Sequence, residues 1–127
     1  MPRIVNLTQH QASAEQIEAG VFETADRTAV DRLLTFDVCP SMADIRERAG
    51  TLAKIARGAG AEAAMVGGAS YLMAPLERAL RLANIKPLYA FSKRESLETR
   101  LPDGSVRKTQ IFKHEGWVDA SDVGTAT

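Results

Sequence analysis

The chain holds a single cysteine, Cys39, so no intrachain disulfide and no multi-cysteine zinc site can form. Cys39 reads as a small, partly buried apolar residue. A thiol nucleophile working with His10 or His114 has no local motif behind it. An excess of charge is missing too: lysine plus arginine number 16, and aspartate plus glutamate number 16. That balance speaks against a coat for long DNA or RNA, whose affinity comes from a strong basic excess. A small anionic ligand stays open, because a local cluster of cations can hold phosphates in a neutral protein. No apolar run is long enough to span a bilayer or to form the core of a signal peptide. A cytoplasmic protein with no membrane partner is expected. The two histidines lie too far apart in sequence to mark a metal pair, and neither a metal nor a cofactor is expected.

What is present fits an ordinary globular protein. Its 127 residues are 45% apolar and 25% charged, enough for one domain with a buried core. That domain is expected over residues 1–118, with a flexible tail over 119–127. Arg3–Leu7 is a short β-branched run and a first strand. Ser13 and Gln16 have the spacing of a capping box, and Gly20 is a stop for the helix they open. Val21-Phe22 is a short strand or an extended link. Thr28 is a cap for a second helix through Val30 and Leu34, although Leu33–Phe36 also suits a strand. Ser41 with Asp44 opens the clearest helix, carried by Ile45, Ala49, Leu52 and Ile55-Ala56 and ended by Gly58 and Gly60.

Ala63–Val66 is a continuous apolar run of strand length, as in a central strand covered on both faces. A helix through Leu72, Leu76 and Leu80 follows, and Pro75 places its regular start just before that residue. Pro87–Phe91 is strand-like and runs into Ser92-Lys93-Arg94-Glu95, which reads as a turn. Leu97–Leu101 and Val106–Phe112 flank Pro102-Asp103-Gly104-Ser105, a hairpin signature. The alternation predicts an α/β fold: a mainly parallel sheet flanked by helices, with a C-terminal β-hairpin. In such folds ligands bind outside the carboxyl ends of the parallel strands. Three segments fall there: Thr8–Gln11, Gly67–Tyr71 and Ser92–Glu95.

Each segment carries groups with two readings. Gly67-Gly68-Ala69-Ser70 joins a buried strand to a helix, as a tight turn or as a cradle of backbone amides for an anion. It lacks the lysine of a P-loop and the spacing of GxGxxG, which speaks against an NTPase and a dinucleotide dehydrogenase. Ser92, Lys93 and Arg94 are a solvated charged turn or a set of phosphate donors. Thr8 and Gln9 suit hydrogen bonding to a ribose or base. His10 is a general acid or base, or a surface residue. His114 beside Lys113 and Trp117 has the same two readings. Tyr71 stacks on a base or belongs to the core.

The order of several motifs resembles a known family. Met65-Val66-Gly67-Gly68-Ala69-Ser70-Tyr71-Leu72-Met73 is similar to the strand, glycine loop and helix start of small stand-alone CRISPR-associated ring nucleases with a CARF-like (CRISPR-associated Rossmann) fold. The likeness continues through Pro87-Leu88-Tyr89-Ala90, Arg94-Glu95, Leu101-Pro102-Asp103-Gly104-Ser105-Val106 and Ile111-Phe112-Lys113-His114. His10 followed by Ala14-Glu15-Gln16 extends it to the first strand, whereas Val21–Gly60 departs from it. The resemblance implies a homodimer that binds a cyclic oligoadenylate, in the first instance cyclic tetra-adenylate. It implies metal-independent cleavage by a ribose 2′-hydroxyl, which would switch off type III CRISPR signalling. His10, Lys93 and Arg94 are then the candidate catalytic groups. Thr8, Gln9, Gly67, Gly68, Ser70, Tyr71, Ser92 and His114 are the candidate ligand contacts. A non-catalytic sponge or sensor of a nucleotide messenger needs the same cradle, and a structural protein with a plain glycine turn is the third alternative.

Overall fold

The computed structural model describes residues 2–122. Five strands and four helices follow in the order β1(Ile4–Leu7), α1(Ala14–Glu18), β2(Val21–Phe22), α2(Arg27–Leu34), α3(Met42–Gly58), β3(Ala63–Val66), α4(Ser70–Leu82), β4(Lys86–Arg100) and β5(Val106–Asp119). The strands form one sheet in the order β2-β1-β3-β4-β5. The pairs β1–β2, β1–β3 and β3–β4 are parallel, and β4–β5 is antiparallel. The expected mixed α/β architecture with a mostly parallel sheet and a terminal hairpin is the one observed.

Strand alternation divides the core in two. Val5, Leu7, Ala64 and Val66 face α2, α3 and α4, meeting Val30, Ile45, Leu52, Leu72 and Leu76. Ile4, Ala63, Met65 and Leu88 form a smaller cluster on the other face with Ala12 and the half-buried Trp117. All four residues of β3 are buried, as expected of a strand covered on both sides. Local signals set the helix ends. The Ser13–Gln16 capping box is formed, and Ser41 Oγ accepts from Asp44 N at 3.1 Å.

Several elements differ from expectation. Asp26, not Thr28, caps α2 by accepting from Ala29 N, and Leu33-Leu34 are helical because burial of Val30 and Leu34 holds one helix face to the sheet. Regular helix in α4 begins at Ser70, so Pro75 sits inside it. Pro75 denies one amide to the Tyr71 carbonyl, a loss the full burial of Leu72, Leu76 and Leu80 outweighs. Cys39 is exposed rather than partly buried, because it lies in the bend that leads through Pro40 to the Ser41 cap.

The largest difference is the hairpin. Ser92-Lys93-Arg94-Glu95 is not a turn; it lies within β4, paired with Ile111–His114 of β5. From Leu88 to Leu101 no glycine or proline interrupts the chain, so β4 runs on with β5 as an arm beyond the sheet. The expected turn closes the arm: Gly104 has φ +88°, and Asp103 Oδ1 accepts from Ser105 N at 2.9 Å. β5 continues through Asp119, and Ala120 N donates to the Pro87 carbonyl. Residues 123–127 of the expected tail lie outside the described residues.

Candidate functional site

A cleft of about 320 Å³ opens at the carboxyl ends of β1 and β3. Thr8, Gln9 and His10 form one wall, and Gly67 and Gly68 form another. The two loops touch: a Cβ on Gly67 would lie 3.4 Å from Thr8 Cγ2. Gln16 of α1 and Tyr89-Ala90 of β4 complete the lining. Of the three expected segments, Thr8–His10 and Gly67-Gly68 thus meet at this edge of the sheet.

The Thr8–His10 loop is built around a residue that sequence reasoning missed. Asn6 is fully buried, on the face of β1 that also carries Ile4. Its Nδ2 donates to the His10 carbonyl and to Glu23 Oε1, both at 2.8 Å. Its Oδ1 accepts from Thr8 N at 2.9 Å and from Thr8 Oγ1 at 2.7 Å. Arg27 holds the same loop from its other side, with Nη1 donating to the Asn6 carbonyl at 3.2 Å and Nη2 to the Thr8 carbonyl. Thr8 thus commits its hydroxyl hydrogen to the loop. Gln9 Nε2 donates to Thr35 Oγ1 at 2.8 Å. The His10 side chain stays exposed at the mouth.

Gly68 has φ +143°, a backbone region open almost only to glycine. It turns β3 into α4, whose N-cap Ala69 provides no side-chain hydrogen bond. Leu72 N donates to the Ala69 carbonyl at 3.0 Å, and the amides of Ser70 and Tyr71 before it keep their capacity for an anion. The side chains of these two residues do not line the cleft. Ser70 lines a separate groove between α3 and α4 with Pro75 and Arg78. The Tyr71 ring packs edge-on against Phe36, 5.1 Å between centroids.

The remaining candidates stand on the arm, outside the cleft lining. Register and alternation put Ser92, Arg94, Phe112 and His114 on the face shared with Ala90 and Trp117, whereas Lys93 opposite Lys113 falls on the other. The Arg94 guanidinium lies 5.4 Å from the Phe112 ring centroid. The His114 ring lies 4.6 Å from Trp117, and its Nδ1 is buried without a hydrogen-bond partner. None of the lining residues is lysine or arginine.

Tyr89 fixes the β4 wall. Its Oη donates to Glu77 Oε2 at 2.5 Å, and Glu77 also pairs with Arg81 at 3.3 Å. Burial, then the hydrogen bond to the Glu77 carboxylate and its charge, raise the phenol well above its ordinary pKa. A raised folded-state pKa means the neutral phenol is the favoured form. Its stabilisation is full below the ordinary tyrosine value of about 10 and fades as pH climbs past it. Tyr89→Phe is expected to cost about 1 kcal/mol at neutral pH, below the usual value for a bond to a charged group because the pair is half-exposed. Urea titrations from pH 7 to 11 check this: the gap between the two proteins narrows at the alkaline end.

No group of three or more histidine, cysteine, aspartate or glutamate side chains suited to a metal ion occurs among the described residues. None of their helices is long and apolar enough to cross a membrane. Residues 2–118 match the family described as Uncharacterized protein MJ1673 family, and the chain belongs to it. Neither the curated proteins nor the solved structures give a match to this chain.

Proposed function

We propose that this chain is a CARF-like, Rossmann-type domain whose cleft takes one nucleotide of a cyclic oligoadenylate, with cyclic tetra-adenylate as the first candidate. The observation that carries this reading is the meeting of the Thr8–His10 loop and the Gly67-Gly68 turn at the carboxyl ends of adjacent parallel strands. That edge is where open α/β sheets bind ligands. Amides at the start of α4 suit a phosphate, and the ordered motif resemblance supplies the nucleotide class. At about 320 Å³ the cleft stands at the small end of the roughly 300–1,000 Å³ of ligand pockets. A four-nucleotide ring exceeds it, which favours two copies sharing one ring.

In the catalytic form of this proposal the ligand provides its own nucleophile. A ribose 2′-oxygen attacks the adjacent phosphorus, and the bond from phosphorus to the 5′-oxygen breaks. The products are a 2′,3′-cyclic phosphate and a 5′-hydroxyl; the proton leaving the 2′-hydroxyl is balanced by one delivered to the 5′-oxygen. The protein holds the reacting atoms in line and stabilises charge on the phosphate. His10, exposed at the mouth, is the candidate for a proton transfer. A general acid or base adds about 10²- to 10⁴-fold. Cleavage of this kind would end a type III CRISPR signal.

A specific observation favours a second reading. The lining contains no cation, and its other titratable group besides His10, Tyr89, is bonded to Glu77, so a sponge or sensor that binds without cleaving fits the same cleft. Incubation with cyclic tetra-adenylate in EDTA decides between them. Cleavage that falls at least a hundredfold in His10→Ala, with ring binding retained, supports the nuclease. A thermal shift with an intact ring supports the binder, and no shift with any cyclic oligoadenylate rejects both.

A further inference from the structure

The β4–β5 arm looks unfinished in a single copy. A two-stranded ribbon is marginally stable alone in water, yet this one exposes Phe91, Leu97, Val106 and Phe112, the last at 68%. β5 is also an edge strand with one side unpaired. Large apolar groups on an open edge mark an association surface. Between residues 91 and 113 the arm carries six cations, Lys93, Arg94, Arg100, Arg107, Lys108 and Lys113, against three carboxylates, Glu95, Glu98 and Asp103. The chain as a whole is neutral, so the body carries the opposite excess.

The body offers a matching surface. Helix α1 buries none of its own residues. It leaves Ile17 at 57% exposure, between the exposed carboxylates of Glu15 and Glu18 and next to Gln16 of the cleft. The arm face that carries Arg94 and Phe112 is the continuation of the sheet face that holds Ile4, Met65, Leu88 and Trp117, and Ala12, just before α1, belongs to the same cluster. Phe112, paired with Arg94 on a basic arm, thus answers Ile17, which stands beside two carboxylates on α1. Repeating the contact about a two-fold axis closes a dimer. Within one chain, Arg94 lies four residues beyond Ala90, the last cleft residue of β4, or about 13 Å along the strand.

We propose that the arm of one copy docks on α1 of a second copy, setting Phe112 against Ile17 and bringing Arg94 to the mouth of that copy's cation-free cleft. The docking stands on the arm and α1 alone; the purpose of Arg94 there rests on the nucleotide reading above.

The full chain is expected to run as a dimer by light scattering at moderate salt. Phe112→Asp and Ile17→Asp should each raise the dimer dissociation constant at least tenfold. Both sites are exposed, so far-UV dichroism and melting of the monomer should stay unchanged. With Cys39→Ser as background, Ile17→Cys mixed with Phe112→Cys should give an intermolecular disulfide under mild oxidation, with neither variant giving one alone. A monomeric wild-type chain overturns the proposal. So does a dimer that ignores both substitutions and forms no cross-link, or a monomer whose arm binds single-stranded RNA and loses it on reversal of Arg107 and Lys108. None of these measurements needs the nucleotide. A cross-linking dimer that binds no cyclic oligoadenylate rejects the cleft assignment alone, and a monomer that binds the ring rejects the docking alone.

Discussion

Asn6→Ala is expected to cost about 3 kcal/mol, because it removes a fully buried amide and leaves the buried Thr8 amide and hydroxyl without their acceptor. Four hydrogen bonds end at this side chain: two donated, to the His10 carbonyl and Glu23, and two accepted from Thr8. Each such bond contributes only about 0.5–1.5 kcal/mol net, but each buried group left unpaired costs about 1–3 kcal/mol. Asn6→Asp offers no rescue. It keeps the acceptor for Thr8, loses both donors and sets a carboxylate against Glu23. Urea denaturation reads the loss directly, and melting should fall by roughly 10–15 °C for a chain of this size. A loss below about 1 kcal/mol would mean that Arg27 alone shapes the Thr8–His10 loop.

Asn6 also shows what the sequence can and cannot convey. In Ile4-Val5-Asn6-Leu7 the strand is legible from its apolar residues, and the two helix caps Ser13 and Ser41 are legible because their partners lie three residues away. The partners of Asn6 lie in a loop and in Glu23, and nothing local announces them. The only cue was a lone amide in an apolar run, which must be satisfied if it is buried. The cleft edge was legible from strand–helix alternation, but not Gln16, Tyr89 and Ala90, whose inclusion depends on register and on which face each residue takes. The same limit hid the arm. Ser92–Glu95 has the polarity of a turn, yet it is held in a strand by residues about 20 positions later, with Glu115 skipped where Phe91 pairs with Gly116 and Ser92 with His114. Local composition cannot reveal a pairing of that range. It also could not show that Lys93 and Arg94, neighbours in sequence, stand on opposite faces.

The two glycines of the cleft are expected to separate fold from ligand binding. Gly68 has φ +143°, and a Cβ there would find Met73 Cε at 3.8 Å and Leu34 Cδ2 at 4.0 Å. Both are ordinary contacts, so space is not the obstacle. The cost is the backbone, which a side chain forces out of a region worth about 1–3 kcal/mol. Gly68→Val, branched at Cβ, should fall at the upper end, about 3 kcal/mol, and Gly68→Ala lower. Gly67 has no such constraint. Its Cβ would meet Thr8 Cγ2 at 3.4 Å, between the two loops that frame the cleft. Gly67→Ala should therefore change stability by less than about 1 kcal/mol while narrowing the approach of a phosphate to the backbone. Paired denaturation and cyclic tetra-adenylate binding curves test the separation. Gly68→Val should lose stability first, and Gly67→Ala should lose affinity at nearly wild-type stability. If Gly67→Ala binds as the wild type does, the gap between Thr8 and Gly67 is a packing seam. The phosphate cradle then reduces to the free amides of α4, since the strain at Gly68 would serve only to aim that helix.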